Sequence, residues 1–135
     1  MAKRLFILLA AFVMLNAATA AIVGGSSKAD VADPEVVNAA NFVVSSANTN
    51  ACSGLCAGLQ KEGELKLVKV LSASTQVVAG LNVHLELLMA DAAGKQTVVT
   101  STVWSRPWLA SKNDAANPAT QITALTFKPY DGTLE

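Results

Sequence analysis

One histidine, two cysteines and one tyrosine in 135 residues leave few of the side chains from which functional centres are commonly built. A structural zinc site takes about four nitrogen or sulfur ligands, and His84 is the only histidine available. Charge of one sign is missing too. Ten basic residues balance ten acidic ones, which gives no electrostatic footprint for nucleic acid or an anionic membrane. No serine or cysteine stands in a recognisable nucleophile context, no glycine loop of the phosphate-binding kind occurs, and the acids are scattered. The expectation is a protein that is not an enzyme, with no catalytic residue, metal or cofactor. There is no internal repeat.

A long apolar run is also lacking. The longest, Leu5 to Leu15, falls well short of the roughly 20 residues that a bilayer span needs. Lys3 and Arg4 precede it and Ala18-Thr19-Ala20 follows, the layout of a secretory signal peptide with a small-x-small cleavage pattern. The alternative is a buried N-terminal helix, but nothing pairs with the two basic residues. Residues 1–20 therefore read as the signal and residues 21–135 as one exported domain. The mature chain keeps eight basic residues against ten acidic ones, a net charge near −2. Its length of about 115 residues suffices for a core without a dense disulfide framework. An oxidising compartment favours pairing Cys52 with Cys56, ahead of free thiols and then of a metal site.

Ile22-Val23-Gly24-Gly25-Ser26-Ser27 reads as a flexible arm, with a short strand expected around Ala29 to Ala32. Asp33-Pro34-Glu35 signals a helix start: an N-cap acceptor, proline at the first helical position, then an acid at the positive end of the dipole. Val36, Val37, Ala40, Val43, Val44 and Ala47 recur at helical spacing, with Phe42 off the stripe. Asn48 to Gly63 reads as a long loop. The period then becomes two. Strands are expected over Leu65 to Leu71, around Val83, Leu85 and Leu87, from Thr97 to Trp104 and from Gln121 to Phe127. Ala92 to Lys95 is a turn, Ser105-Arg106-Pro107 a strand break, and Ser111 to Thr120 a loop. One helix followed by short-connected strands predicts an α+β architecture, an antiparallel sheet of about five strands packed on the helix. His84 alternates with Asn82 and Glu86 on the polar strand face, where a solvated histidine is expected. Trp104, inside a strand, is assigned to packing.

Three segments belong together: Gly24-Gly25 before the helix, Gln76-Val77-Val78-Ala79-Gly80 between two strands, and Pro107-Trp108 at the later strand break. Taken in this order and at these spacings, the set resembles the cystatin family. Ala39-Ala40-Asn41-Phe42-Val43-Val44 followed by Asn48 is similar to the helix signature of plant-type cystatins, although the leucine and arginine usual near its start are absent. Leu67 to Leu71, Leu81 to Leu85 and Val103 to Trp108 also look cystatin-like. The loop after the helix is longer than in compact plant-type members and carries the cysteine pair. The spacing from Gln76 to Trp108 suits members that lack the long insertion of vertebrate secreted forms.

The resemblance implies a bent sheet wrapped around the helix, with the arm and two hairpin loops aligned as a wedge. It implies reversible, tight-binding inhibition of papain-like, cathepsin-type cysteine proteases by Gly24, Gly25, Gln76, Val77, Val78, Ala79, Gly80, Pro107 and Trp108. A non-inhibitory secreted binding or signalling module on the same fold is the alternative. A monomer is expected, with domain-swapped dimers a known hazard of the fold.

Overall fold

The computed structural model describes residues 25–60 and 62–132; the signal-peptide reading and Gly24 lie outside them. Its single described α-helix, α1 (Pro34–Asn48), starts where local chemistry dictates. Asp33 is extended, and its carboxylate accepts the Glu35 N–H at 2.9 Å, satisfying one of the free donors of the first turn. Val36, Ala39, Ala40, Val43, Ser46 and Ala47 are buried. This differs from the expected stripe. Val37 is exposed and Val44 half-buried, since both sit one helical step to the side of the Val36–Ala40–Val43–Ala47 line, and Ala39 takes the inner place. The alanines let the helix axis approach the sheet closely. Phe42 packs against the core from the flank, half-buried.

Five strands form one antiparallel sheet in chain order: β1 (Ser26–Lys28), β2 (Lys66–Val78), β3 (Gly80–Ala90), β4 (Gln96–Ser105) and β5 (Thr120–Pro129). Two strand expectations need correction. The first strand lies at Ser26–Lys28, inside the supposed flexible arm, where it pairs with Ser74–Gln76. Residues 30–33 turn instead, because the Asp30 carboxylate accepts the Ala32 N–H at 2.9 Å and its carbonyl accepts the Asp33 N–H at 3.0 Å. The strand expected to stop at Leu71 runs on to Val78, leaving Ala79 alone between β2 and β3. The turn at 92–95 is closed by Asp91, whose carboxylate accepts the Ala93 and Lys95 N–H groups.

Alternation supplies the core. Val83, Leu85 and Leu87 of β3 and Val99 and Val103 of β4 face α1, and Leu87, Met89 and Val99 are fully enclosed. Ser101 is buried among them with its hydroxyl donating to the Ala124 carbonyl at 2.8 Å, which offsets the cost of desolvating it. Val68 and Leu71 are extra residues in β2, and Thr123 is one in β5. Such bulges bend a strand and increase its twist, so the long strands can curl around the helix.

The loop after α1 is held at both ends by one side chain. Asn48 donates from Nδ2 to the Leu65 carbonyl at 2.9 Å and accepts the Leu65 N–H on Oδ1 at 2.8 Å. Within the loop Cys52 and Cys56 are joined by a disulfide, and both pack with Leu59 into the core.

Candidate functional site

At one end of the sheet the register brings three separate segments together. Ser26 pairs with Gln76, so Gly25 stands one step further on, at the level of Val77. Val78 pairs with Gly80, and Leu81 pairs with Ser105 at the end of β4. The chain then enters a short 3-10 turn, Pro107–Leu109. Gly25, Gln76 to Gly80, and Pro107-Trp108 thus occupy the same rim. No residue among these is ionisable.

The first hairpin is unusually tight, and Gly80 makes it so. Its φ of +103° is one that side chains rarely adopt, and a Cβ there would run into the Ser105 carbonyl oxygen and approach Arg106 Cγ at 3.2 Å. The glycine therefore permits both the turn and its contact with the start of the second loop. Val77 is 46% exposed just below the tip, and Val78 is half-buried. In the second loop Trp108 is 55% exposed, the most exposed large apolar side chain among the described residues. Apolar surface at a hairpin tip gains nothing in water and becomes favourable only when a partner covers it.

Beneath the rim, polar contacts fix the tips. Trp104 is not in the core: its indole N–H donates to the Ala79 carbonyl at 2.8 Å, and the Arg106 guanidinium carbon lies 3.9 Å from the ring centroid. Arg106 also donates from a terminal nitrogen to the Pro118 carbonyl at 2.9 Å, and its backbone N–H donates to Ala119 at 2.6 Å. Its Nε is buried without an oxygen partner. Sequence reasoning missed this pair. The available signal was the i, i+2 spacing of Trp104 and Arg106, which places both on one strand face.

His84 also differs from the solvated histidine expected. It is half-buried, with Nδ1 3.0 Å from Thr102 Oγ1 and Nε2 3.1 Å from Gln76 Oε1. An amide oxygen only accepts, so Nε2–H donates to Gln76 while the Thr102 hydroxyl completes the other ring nitrogen. The imidazole thereby ties Gln76, at the neck of the hairpin, to Thr102 of β4.

The return from the second loop is braced locally. Asp114 accepts the Ala116 N–H at 3.0 Å and the Asn117 side-chain amide at 3.2 Å. These bonds, the Asn117 amide first, hold its carboxyl below the ordinary carboxylate range. A cleft of about 340 Å³ separates Ala115, Ala116 and Pro118 of this segment from Cys52 and Ser53 of the disulfide loop. No group of three or more metal-ligating side chains occurs among the described residues.

The chain is similar to several known proteins. The family model "SQAPI: Aspartic acid proteinase inhibitor" matches residues 28–116. Cysteine proteinase inhibitor 5 of Arabidopsis thaliana is 36% identical over 116 residues, covering 82% of this chain and 87% of the relative. A cystatin of Bitis arietans is 32% identical over 114 residues, covering 67% of this chain and 96% of the relative. Among solved structures, that of Al-CPI superposes with a TM-score of 0.58 at 29% identity, over 79% of this chain and all of the other. Dimeric human cystatin F has the same fold at 18% identity and a TM-score of 0.58, over 80% of this chain and 89% of the other.

Proposed function

This chain belongs to the cystatin family of cysteine proteinase inhibitors, and from that premise we propose that its rim plugs the active-site cleft of papain-like proteases. The observation that carries the reading is the convergence of Gly25, the Gln76–Gly80 hairpin and Pro107-Trp108 on one sheet end, with Val77 and Trp108 held out to solvent. A protease of this class attacks with a cysteine at the bottom of a cleft. An inhibitor must fill that cleft without offering the nucleophile a bond it can cut. Two tips fixed from below fit this need because little conformational entropy remains to be lost on binding.

The roles divide by chemistry. Trp108 is the apolar anchor of the second loop, stiffened by the fixed φ of Pro107. Val77 and Val78 give the first tip its apolar surface, and Ala79 keeps that tip narrow. Gly24 and Gly25 let the preceding arm turn along the cleft wall, with Ile22 and Val23 in apolar subsites. The signal-like residues 1–20 and the Cys52–Cys56 disulfide support an exported protein.

The description of the matched family model favours a second reading, inhibition of an aspartic proteinase. Titrating the purified protein against papain and, in parallel, against pepsin separates the two, with hydrolysis of fluorogenic peptides as readout. Stoichiometric, reversible loss of papain activity is expected. Loss of pepsin activity alone would move the target to the aspartic class. A folded protein that spares both enzymes would be a cystatin-fold binding module.

A further inference from the structure

The two inhibitory loops are not independent projections. A continuous set of contacts runs from the first tip to the far end of the second loop: the Ala79 carbonyl, the Trp104 indole N–H, the Arg106 guanidinium over the ring, then the Pro118 carbonyl. Both side chains lie outside the core and neither belongs to the two tips. Arg106 therefore does two things at once. Its backbone N–H and guanidinium close the base of the second loop on Ala119 and Pro118, while the guanidinium carbon lies over the ring whose N–H holds the first tip.

We propose that Trp104 and Arg106 are positioning residues that set the shape of the first hairpin and couple it mechanically to the second loop. The carbonyl of Ala79 stands at the single residue between β2 and β3. Fixing that carbonyl fixes the Ala79–Gly80 peptide plane, on which the direction of Ala79 and the turn at Gly80 depend. Removing the indole N–H lets this plane rotate, and the tip then samples conformations that do not fit the cleft. An apparent affinity falls in proportion to the fraction of molecules in the competent shape. The cation held over the indole limits tilting of the ring, so loss of Arg106 acts on the first hairpin at a distance as well as on the loop it closes.

The affinity readout rests on the inhibitory reading above, so the test carries a second readout that does not. Trp104→Phe in the full chain keeps an aromatic ring near Arg106 while removing the donor together with the second ring of the indole. Amide hydrogen exchange in residues 76–81 is expected to rise about tenfold while the remaining sheet keeps its protection, because one fixing hydrogen bond has been lost. The dissociation constant for papain is expected to rise roughly five- to tenfold with little change in Tm. Arg106→Met should loosen residues 76–81 as well, and Arg106→Lys should recover part of the loss by restoring a cation over the ring. If Trp104→Phe does not fold, the Arg106 pair decides the matter by the same two readouts. Unchanged exchange in residues 76–81 would overturn the proposal, as would protection lost evenly across the whole sheet. Wild type that leaves papain active would defeat the inhibitory reading alone, and the exchange data would still decide the brace.

Discussion

Trp108 stands with 55% of its surface in water on a turn stiffened by Pro107, so its removal costs the free protein little packing. In a complex the same ring would be covered. Trp108→Ala is therefore expected to weaken papain inhibition by about 2 kcal/mol, or roughly thirtyfold, with Tm nearly unchanged. Inhibition titrations beside thermal unfolding measure both. Gly80 is the opposite case. Gly80→Ala forces a Cβ toward the Ser105 carbonyl at a φ of +103°, and a loss of at least about 1 kcal/mol is expected, seen as a lower Tm together with weaker inhibition. Both positions stood out in the sequence through the family pattern of three segments in order, and the structure puts Gly80 at a turn and Trp108 in solvent. Trp104, Arg106 and His84 were not. Their partners, Ala79, Pro118, Gln76 and Thr102, lie on other strands or loops and become neighbours only through the register.

Elements differ in the same way. The start of α1 could be read to the residue because Asp33, Pro34 and Glu35 act on adjacent backbone groups. Asp33→Ala removes the cap and is expected to cost about 1 kcal/mol in thermal or denaturant unfolding, leaving inhibition by the folded fraction intact. Strand ends were less legible. Gln76 to Gly80 resembles a loop by family pattern, yet its first three residues continue the ladder of β2, since valines suit a strand and only Ala79 is needed to reverse the chain. The second-loop return responds to acid. The folded-state pKa of Asp114 is depressed, so its contribution is present above the unfolded value and lost as pH falls through the folded one. Local order in residues 114–117, followed by NMR, is expected to stay constant from neutral pH down to the ordinary carboxylate range and to loosen below it.

For the whole molecule, the change from helical to alternating periodicity was enough to give one helix on an antiparallel sheet. The bend came only with the family resemblance, and the positions of the extra residues Val68, Leu71 and Thr123 were not legible, because no local pattern marks them as bulges. The arm expectation can now be refined. Because β1 begins at Ser26, a chain shortened to start there keeps its first strand and should keep its thermal transition, while losing affinity for papain through the missing glycines and apolar residues. An unfolded product would show that the preceding residues belong to the fold. The linear strand order has one more consequence. It leaves two open margins: β1 covers only a few residues of β2, and no described strand lies beside β5. Each margin is interrupted, β2 by two bulges with exposed Lys66 and Lys69, β5 by the displaced Thr123 with exposed Lys128 and Pro129 near its end. Such rims make poor templates for another copy's strand. A strand added edge to edge would find the donors and acceptors of either margin out of step where the extra residues fall, which disfavours continuing the sheet from one copy to the next.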